Sequence, residues 1–196
     1  VLLRGFFNAV QQLNDAGLLL AYHDRSDGGL LACICEMAFA GHSGVSLQLD
    51  TLGADSLAAL FAEELGAVIQ IRRADTARVL QVLKEHGLEP ACHVIGSPNA
   101  TDRLEVGAHG QSLLSETRID LQRAWSETSF QMQSLRDNSV CAQEEYDVLL
   151  EPENAGLRPV LGFDPAEDVA APLIATGVRP RVAVLREQGV NGQIEM

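Results

Sequence analysis

Ala21-Tyr22-His23-Asp24-Arg25-Ser26-Asp27-Gly28-Gly29-Leu30, followed by Leu31-Ala32-Cys33-Ile34-Cys35-Glu36-Met37-Ala38-Phe39-Ala40, is the stretch whose reading decides the fold. An apolar run, Leu18-Leu19-Leu20-Ala21, leads in, and apolar residues at helical spacing from Leu30 to Ala40 lead out. The pattern predicts a strand over 18–22, a polar loop over 22–30 and a helix over 30–40. The loop holds two carboxylates, a hydroxyl and two glycines, more chemistry than a chain reversal needs. Glycines permit positive φ and let backbone come close to a ligand. Here they stand just ahead of a helix N-terminus, whose free N–H groups favour anions. Asp24 and Asp27 are hard oxygen donors suited to Mg2+. The Ser26 hydroxyl can bond a phosphate oxygen or a metal-bound water, and His23 can orient a carboxylate or move a proton. A plainer reading covers the same residues: Ser26 or Asp27 caps the helix, the glycines shape the turn and His23 is a structural histidine.

Outward from this stretch, the first residues read as an amphipathic helix with Leu2, Leu3, Phe6, Phe7, Val10 and Leu13 inward and Gly17 as its stop. Val45 to Asp50 alternates as a half-buried strand, 54–62 is a short helical run, and 67–71 is another strand. Asp75 is expected to cap a helix that runs to about His86 and ends at Gly87. Strands are expected over 91–96, 103–108 and 112–118, with a hairpin turn at His109-Gly110. A helix over 119–136 would turn Leu121, Ala124, Trp125, Met132 and Leu135 inward. Strands that follow one another through short connections point to an α+β fold with a mixed, largely antiparallel sheet and helices packed on it. The character changes near residue 137. Five of the seven prolines lie between Pro152 and Pro180 among acidic residues, which reads as an irregular connector over 137–180. Arg181-Val182-Ala183-Val184-Leu185 is strand-like, so 181–196 reads as the start of a further α/β domain, and 1–136 as the α+β domain before the connector.

Composition narrows the function. The formal net charge of −13 argues against a surface that grips nucleic acid. It is compatible with a phosphate ligand held through Mg2+, because the metal inverts the local electrostatics. No apolar run approaches the roughly 20 residues that span a bilayer, and the first residues lack the basic and small-residue features of a signal peptide. A cytoplasmic protein is expected, with Cys33, Cys35, Cys92 and Cys141 as free thiols. No GxSxG, P-loop or GxGxxG motif is present. Glu36 reads as a solvated or capping residue, Glu63-Glu64 as a solvated helix end, and no catalytic residue is assigned. The chain opens without an initiator Met and stops soon after a strand-like run, as a piece of a longer protein would.

Three stretches carry a resemblance: AYHDRSDGGLLACICEMAFAGHSGV (21–45), FAEELGAVIQI (61–71) and SETRIDLQRAWSETSFQMQSLRDN (115–138). With the connector GFDPAEDVAAPLIATGVRPRVAVLREQGVN (162–191), they resemble the large, single-chain form of phosphoribosylformylglycinamidine synthase. HDxSDGG alone is shared across aminoimidazole ribonucleotide synthetase-like ATP enzymes, and the connector with REQGVN narrows the match. The family usually has bulkier residues where this chain has Gly192-Gln193. The resemblance implies a synthetase C-terminal-like domain, a connector and the first strand of a class I glutamine amidotransferase domain. It implies part of an ATP- and glutamine-dependent ligase of purine biosynthesis, which converts formylglycinamide ribonucleotide to the amidine. It makes Asp24 a Mg2+ ligand and Ser26 a nucleotide contact, with Asp27, Gly28 and Gly29 shaping the loop. ATP or ADP with Mg2+ would be the cofactors, in a site that is working or auxiliary. The partners would be the remaining domains of one monomeric polypeptide. The alternatives are another ATP-dependent enzyme of the superfamily, or a non-catalytic structural module.

Overall fold

Helices and strands interleave along the first two-thirds of the chain in a computed structural model that describes residues 2–152, 154, 156–179, 181–183 and 185. In order these are α1 (Leu2–Asp15), β1 (Ala21–Arg25), α2 (Gly29–Gly41), β2 (Gly44–Gln48), α3 (Ser56–Phe61), β3 (Gly66–Gln70), α4 (Thr76–Glu85), β4 (Gly96–Asn99), β5 (Arg103–Ala108), β6 (Gln111–Thr117), α5 (Arg118–Arg136), α6 (Ser139–Val148) and α7 (Ala171–Ala175). Two compact units divide the chain, residues 1–154 and 155–196. The first holds two sheets. β1 and β3 pair antiparallel, and a second sheet has the order β4-β2-β5-β6, with β2–β5 parallel and its other pairs antiparallel. The fold is therefore α+β with a mixed, mainly antiparallel strand arrangement.

Alternation along β3 explains how two hydrophobic clusters share one strand. Successive side chains of a strand point to opposite faces. Val68 packs on the cluster of Leu30, Ile34, Leu47, Leu49, Leu60, Leu104 and Val106, which joins α2 and α3 to the four-stranded sheet. Ile69 packs on the other cluster, Ala9, Leu13, Leu18, Val79, Val82 and Leu88, beneath α1 and α4. The β5–β6 turn is the expected hairpin: His109 and Gly110 both take positive φ, 52° and 75°, as a type I′ turn requires. Asp55, Thr117 and Asn138 cap α3, α5 and α6 through their side-chain oxygens.

Several expectations are corrected. The strand runs over Ala21–Arg25, not 18–22, because Leu18 turns into the α1–α4 cluster and pairing with β3 begins only at Ala21. The strand expected at 91–96 lies at Gly96–Asn99 instead, paired with β2, after a short 3-10 turn over Glu89–Ala91. Asp75 makes no side-chain cap to α4. In α1, Leu2, Leu3 and Phe7 are exposed; the buried line is Ala9 and Leu13, four apart, and a Cβ at Gly5 would lie 2.5 Å from the His86 carbonyl oxygen. In α5, Leu121 reaches the core, but Ala124, Trp125, Met132 and Leu135 are exposed. That helix uses another face. Phe130 stacks on Tyr146 of α6 at 4.4 Å between ring centroids, and Arg123 lies 3.8 Å above the same Tyr146 ring. Residues 139–148, expected to begin an irregular connector, form α6 under the Asn138 cap.

Among its described residues, the second unit, by itself, is irregular apart from α7. Its loops turn on Asp164, which accepts from Ala166 N–H, and Asp168, which accepts from Ala170 and Ala171 N–H. Arg181–Ala183 and Leu185 carry no regular structure, and the remainder of the strand and domain start expected over 181–196 lies outside the described residues.

Gly29 and Gly17 separate two effects. Both take positive φ, 71° and 64°, yet a Cβ at Gly29 would lie 2.7 Å from the Leu60 carbonyl oxygen, whereas one at Gly17 meets nothing within 4 Å. Gly17→Ala should cost about 1–2 kcal/mol, the backbone strain alone. Gly29→Ala should cost roughly 2–4 kcal/mol, because overpacking adds to that strain. Urea unfolding of the two variants measures the difference; equal losses would mean that the α2–α3 contact yields freely.

Candidate functional site

The residues singled out in the sequence converge where β1 ends and α2 begins. His23, Asp24 and Arg25 lie in the strand itself, so the connecting turn is only Ser26 to Gly28. Directly paired residues of an antiparallel ladder share a face. Asp24 pairs with Ala67 and Tyr22 with Ile69, which places Asp24 and Tyr22 on one side of β1. His23 pairs with Val68 on the other side, under α2.

Asp24, Ser26 and Asp27 are exposed, and among the described residues their side chains make no hydrogen bond or ion pair. The capping role considered for Ser26 or Asp27 is not realised: Gly28 is the N-cap residue, with φ 78°, and neither Ser26 nor Asp27 caps α2. Ser26 closes the turn through its backbone carbonyl, which accepts from Gly29 N–H at 3.0 Å.

The structure adds residues that the sequence left as solvated. The Glu63 carboxylate accepts from Gly28 N–H at 3.0 Å. Arg25 donates to Glu64 at 2.8 Å and to the Ala59 carbonyl at 3.0 Å. Glu63 and Glu64 are exposed just past the end of α3, as expected, and they also bond Gly28 and Arg25. Glu36 is likewise not simply solvated, because its carboxylate lies 3.0 Å from His23 Nε2. His23 Nδ1 lies 2.7 Å from the Asp24 carbonyl oxygen, so the ring is held between strand and helix as a structural histidine would be. The sequence signal for these contacts was faint: two adjacent acids just past a short helix, and an acid thirteen residues beyond His23.

The chemistry of the cluster is that of hard oxygen donors. Asp24, Asp27, Glu36, Glu63 and Glu64 bring carboxylates to one end of β1, and the nearby cation, Arg25, is engaged by Glu64. Among the described residues no three His, Cys, Asp or Glu side chains converge as a metal site. What the cluster offers a cation is one free strand carboxylate, Asp24, beside one free hydroxyl, Ser26. A separate shallow cleft of about 350 Å3 lies on the polar face of the four-stranded sheet, lined by Ser46, Gln48, Glu105, Gly107 and Ser115 among others. Its groups largely satisfy one another: Ser46 donates to Glu105 at 2.8 Å and accepts from Asn99 at 2.9 Å.

Residues 2–109 match the family described as AIR synthase related protein, C-terminal domain, and the chain belongs to that family. Among solved structures, the fold is similar to that of Thermotoga maritima PurL complexed with FGAR, with a TM-score of 0.53 and 17% identity over 60% of this chain and 20% of that one. It is also similar to phosphoribosylformylglycinamidine synthase II from Thermotoga maritima, with a TM-score of 0.52, 17% identity, and 58% and 20% coverage. The Thermotoga maritima PurL complexed with ATP gives 0.51 and 18%, again over 58% and 20%. At these identities the likeness is one of fold. The chain spans about a fifth of the length of these structures.

Burial sets the reactivity of the thiols beneath the site. Cys33 is pushed up to about 11, first by desolvation and then by the charges of Glu36 and Asp24, and its sulfur faces the His23 carbonyl oxygen at 3.8 Å. Cys35 is pushed up to about 11 by desolvation and then by Glu36. Thiolate is the reactive form. At pH 8 a disulfide reagent should therefore label exposed Cys141 first and reach Cys33 and Cys35 only on unfolding. The native state keeps these two protons when unfolded thiols, with an ordinary value of 9.0, have lost them. Their effect on stability is thus absent below that value, and stability falls as pH climbs from there towards 11. Labelling of Cys33 or Cys35 in the folded chain as fast as Cys141 would contradict this assignment.

Proposed function

We propose that this chain contributes one edge of a metal-bridged nucleotide site within a larger ATP-dependent ligase, with Asp24 as a Mg2+ ligand and Ser26 as a nucleotide contact. The observation that carries this reading is the pairing of a free carboxylate and a free hydroxyl at the end of a fastened strand, Asp24 and Ser26, in a family related to AIR synthase. The PurL structures of similar fold were solved with FGAR, ATP and ADP, which supports a nucleotide as the ligand. The acidic surroundings favour the same choice, because phosphate beside the free Asp24 carboxylate needs a cation between them. Bound Mg2+ would neutralise phosphate charge. Asp24 would supply one of its oxygens, and the other ligands would come from elsewhere in the larger enzyme.

The finer reading is a part of phosphoribosylformylglycinamidine synthase in its large single-chain form. On this reading residues 1–136 are the synthetase C-terminal-like domain, 137–180 the connector, and 181–196 the start of a glutaminase domain. The enzyme would be cytoplasmic and monomeric, and its other domains would be the partners of this chain. The motif stretches at 21–45 and 61–71, the connector sequence and the fold likeness support it. This edge holds nucleotide, most simply an auxiliary ADP, and carries no catalytic residue of its own.

Asp24→Ala in the full-length protein should lower Mg2+-dependent nucleotide affinity about tenfold or more, the scale of losing a charged ligand. Ser26→Ala should lower it less. Bound nucleotide, magnesium content and thermal stability all unchanged in Asp24→Ala would remove Asp24 from the site.

A further inference from the structure

A helix that opens from a glycine turn ordinarily presents free N–H groups, and phosphate is a common guest there. In this chain two of those groups, the amides of Gly28 and Gly29, are already engaged. Gly28 N–H donates to a Glu63 carboxylate oxygen at 3.0 Å, and Gly29 N–H donates to the Ser26 carbonyl at 3.0 Å. Glu63 comes from thirty-five residues away in sequence, and its neighbourhood explains its arrival. Arg25 reaches the Ala59 carbonyl and Glu64 from the strand side. Gly29 seats directly on the Leu60–Phe61 backbone, where a Cβ would lie 2.7 to 2.9 Å from main-chain atoms. The span from Ala59 to Glu64 therefore meets Arg25 and Gly29 on either side of the turn, and the Glu63 contact is the one made to the turn's own amide.

We propose that Glu63 is a positioning residue of the nucleotide site. Its carboxylate fills the anion-attracting end of α2 and fixes the Ser26–Gly29 turn. Phosphate is then met by the Ser26 hydroxyl and the cation on Asp24, not by the turn amides. This role rests on the reading of Asp24 and Ser26 as the nucleotide edge. Glu63 touches neither nucleotide nor metal; it acts through the backbone of Gly28. A hydrogen-bond acceptor of the right reach is what the position needs. Glutamine preserves that acceptor, aspartate is one methylene short, and alanine removes it.

The test uses the full-length protein and ADP with Mg2+ as the probe. Glu63→Ala and Glu63→Asp should each weaken ADP binding about tenfold, the scale of one hydrogen bond to a charged group. Glu63→Gln should bind within about twofold of the parent, since a neutral acceptor still satisfies the amide. Hydrogen exchange of the peptide containing Gly28 should quicken in Glu63→Ala and Glu63→Asp and stay at the parent rate in Glu63→Gln. Exchange still reports if Glu63→Ala unfolds, because the aspartate and glutamine variants keep the comparison. Parent-like binding in all three variants, with binding lost in Asp24→Ala, would overturn the role of Glu63 and leave the site reading standing. Equal weakening in Glu63→Gln and Glu63→Ala would also overturn it, since charge rather than the hydrogen bond would then be acting. Parent-like binding in both Asp24→Ala and Ser26→Ala would overturn the site reading itself.

Discussion

The close approach of Gly29 to the Leu60–Phe61 backbone is the constraint on which the rest of the first unit depends. It admits no side chain at Gly29, and it requires a positive φ there. With that contact made, α2 lies against α3, and Leu30 and Ile34 share a cluster with Leu60 over the four-stranded sheet. The same seating brings Glu63 to Gly28 and Glu64 to Arg25, so one backbone contact sets both a hydrophobic cluster and a polar fastening. The polar contacts alone are too exposed to carry much. The Glu64 side chain is 67% exposed, and ion pairs of that kind are typically worth less than about 1 kcal/mol. Their part is to choose one conformation of a turn that burial has already brought to its place.

Much of this was legible in the sequence, and the divide has a physical basis. Local rules worked where local physics governs. Two positive-φ positions suited His109-Gly110 to a hairpin, strict alternation marked β2 and β5, and the spacing after Gly29 marked α2. The HDRSDGG stretch singled out the candidate site through its density of carboxylates, hydroxyl and glycines. Long-range choices were not legible. Nothing near Leu18 says that it turns into the α1–α4 cluster instead of starting a strand, and so Asp24 was expected in a loop when it lies in β1. Glu63 and Glu36 looked like solvated acids because their partners are distant in sequence. The apolar residues of α1 and α5 outnumber the positions that one packing face can cover. Hydrophobicity therefore could not tell buried Leu13 from exposed Phe7, or half-buried Leu121 from exposed Leu135.

The electrostatics of the cluster favour a cation before an anion. Burial raises Cys33, and the charges of Glu36 and then Asp24 add to it. Tyr22 is raised by burial and then by the charge of Asp24. Arg25, the cation in the turn, is turned inward with its side chain 14% exposed, and it is held by Glu64 and the Ala59 carbonyl. A phosphate arriving without a metal would therefore meet carboxylates, and the Gly28 and Gly29 amides already engaged. On the proposed reading, a metal-bound phosphate would meet the Asp24 carboxylate as a ligand, and the obstacle would become the attraction.

An edge of a site needs rigidity more than it needs a pocket, and the fold supplies it. A two-stranded sheet is marginal by itself, but β3 packs into one cluster through Val68 and the other through Ile69, so β1 is paired to a strand held on both faces. His23 is gripped between the Asp24 carbonyl and Glu36, which ties the residue before Asp24 to α2. The end of β1 is thereby fixed on three sides, by β3, by α2 and by the segment after α3, while Asp24 and Ser26 stay open on the fourth. Side chains on secondary elements of this kind are placed more accurately than those on loops. A carboxylate displayed from a braced strand end is suited to meet ligands supplied by another part of a larger enzyme. It adjusts little, so on the proposed reading the geometry of a completed site would be set by how that other part docks.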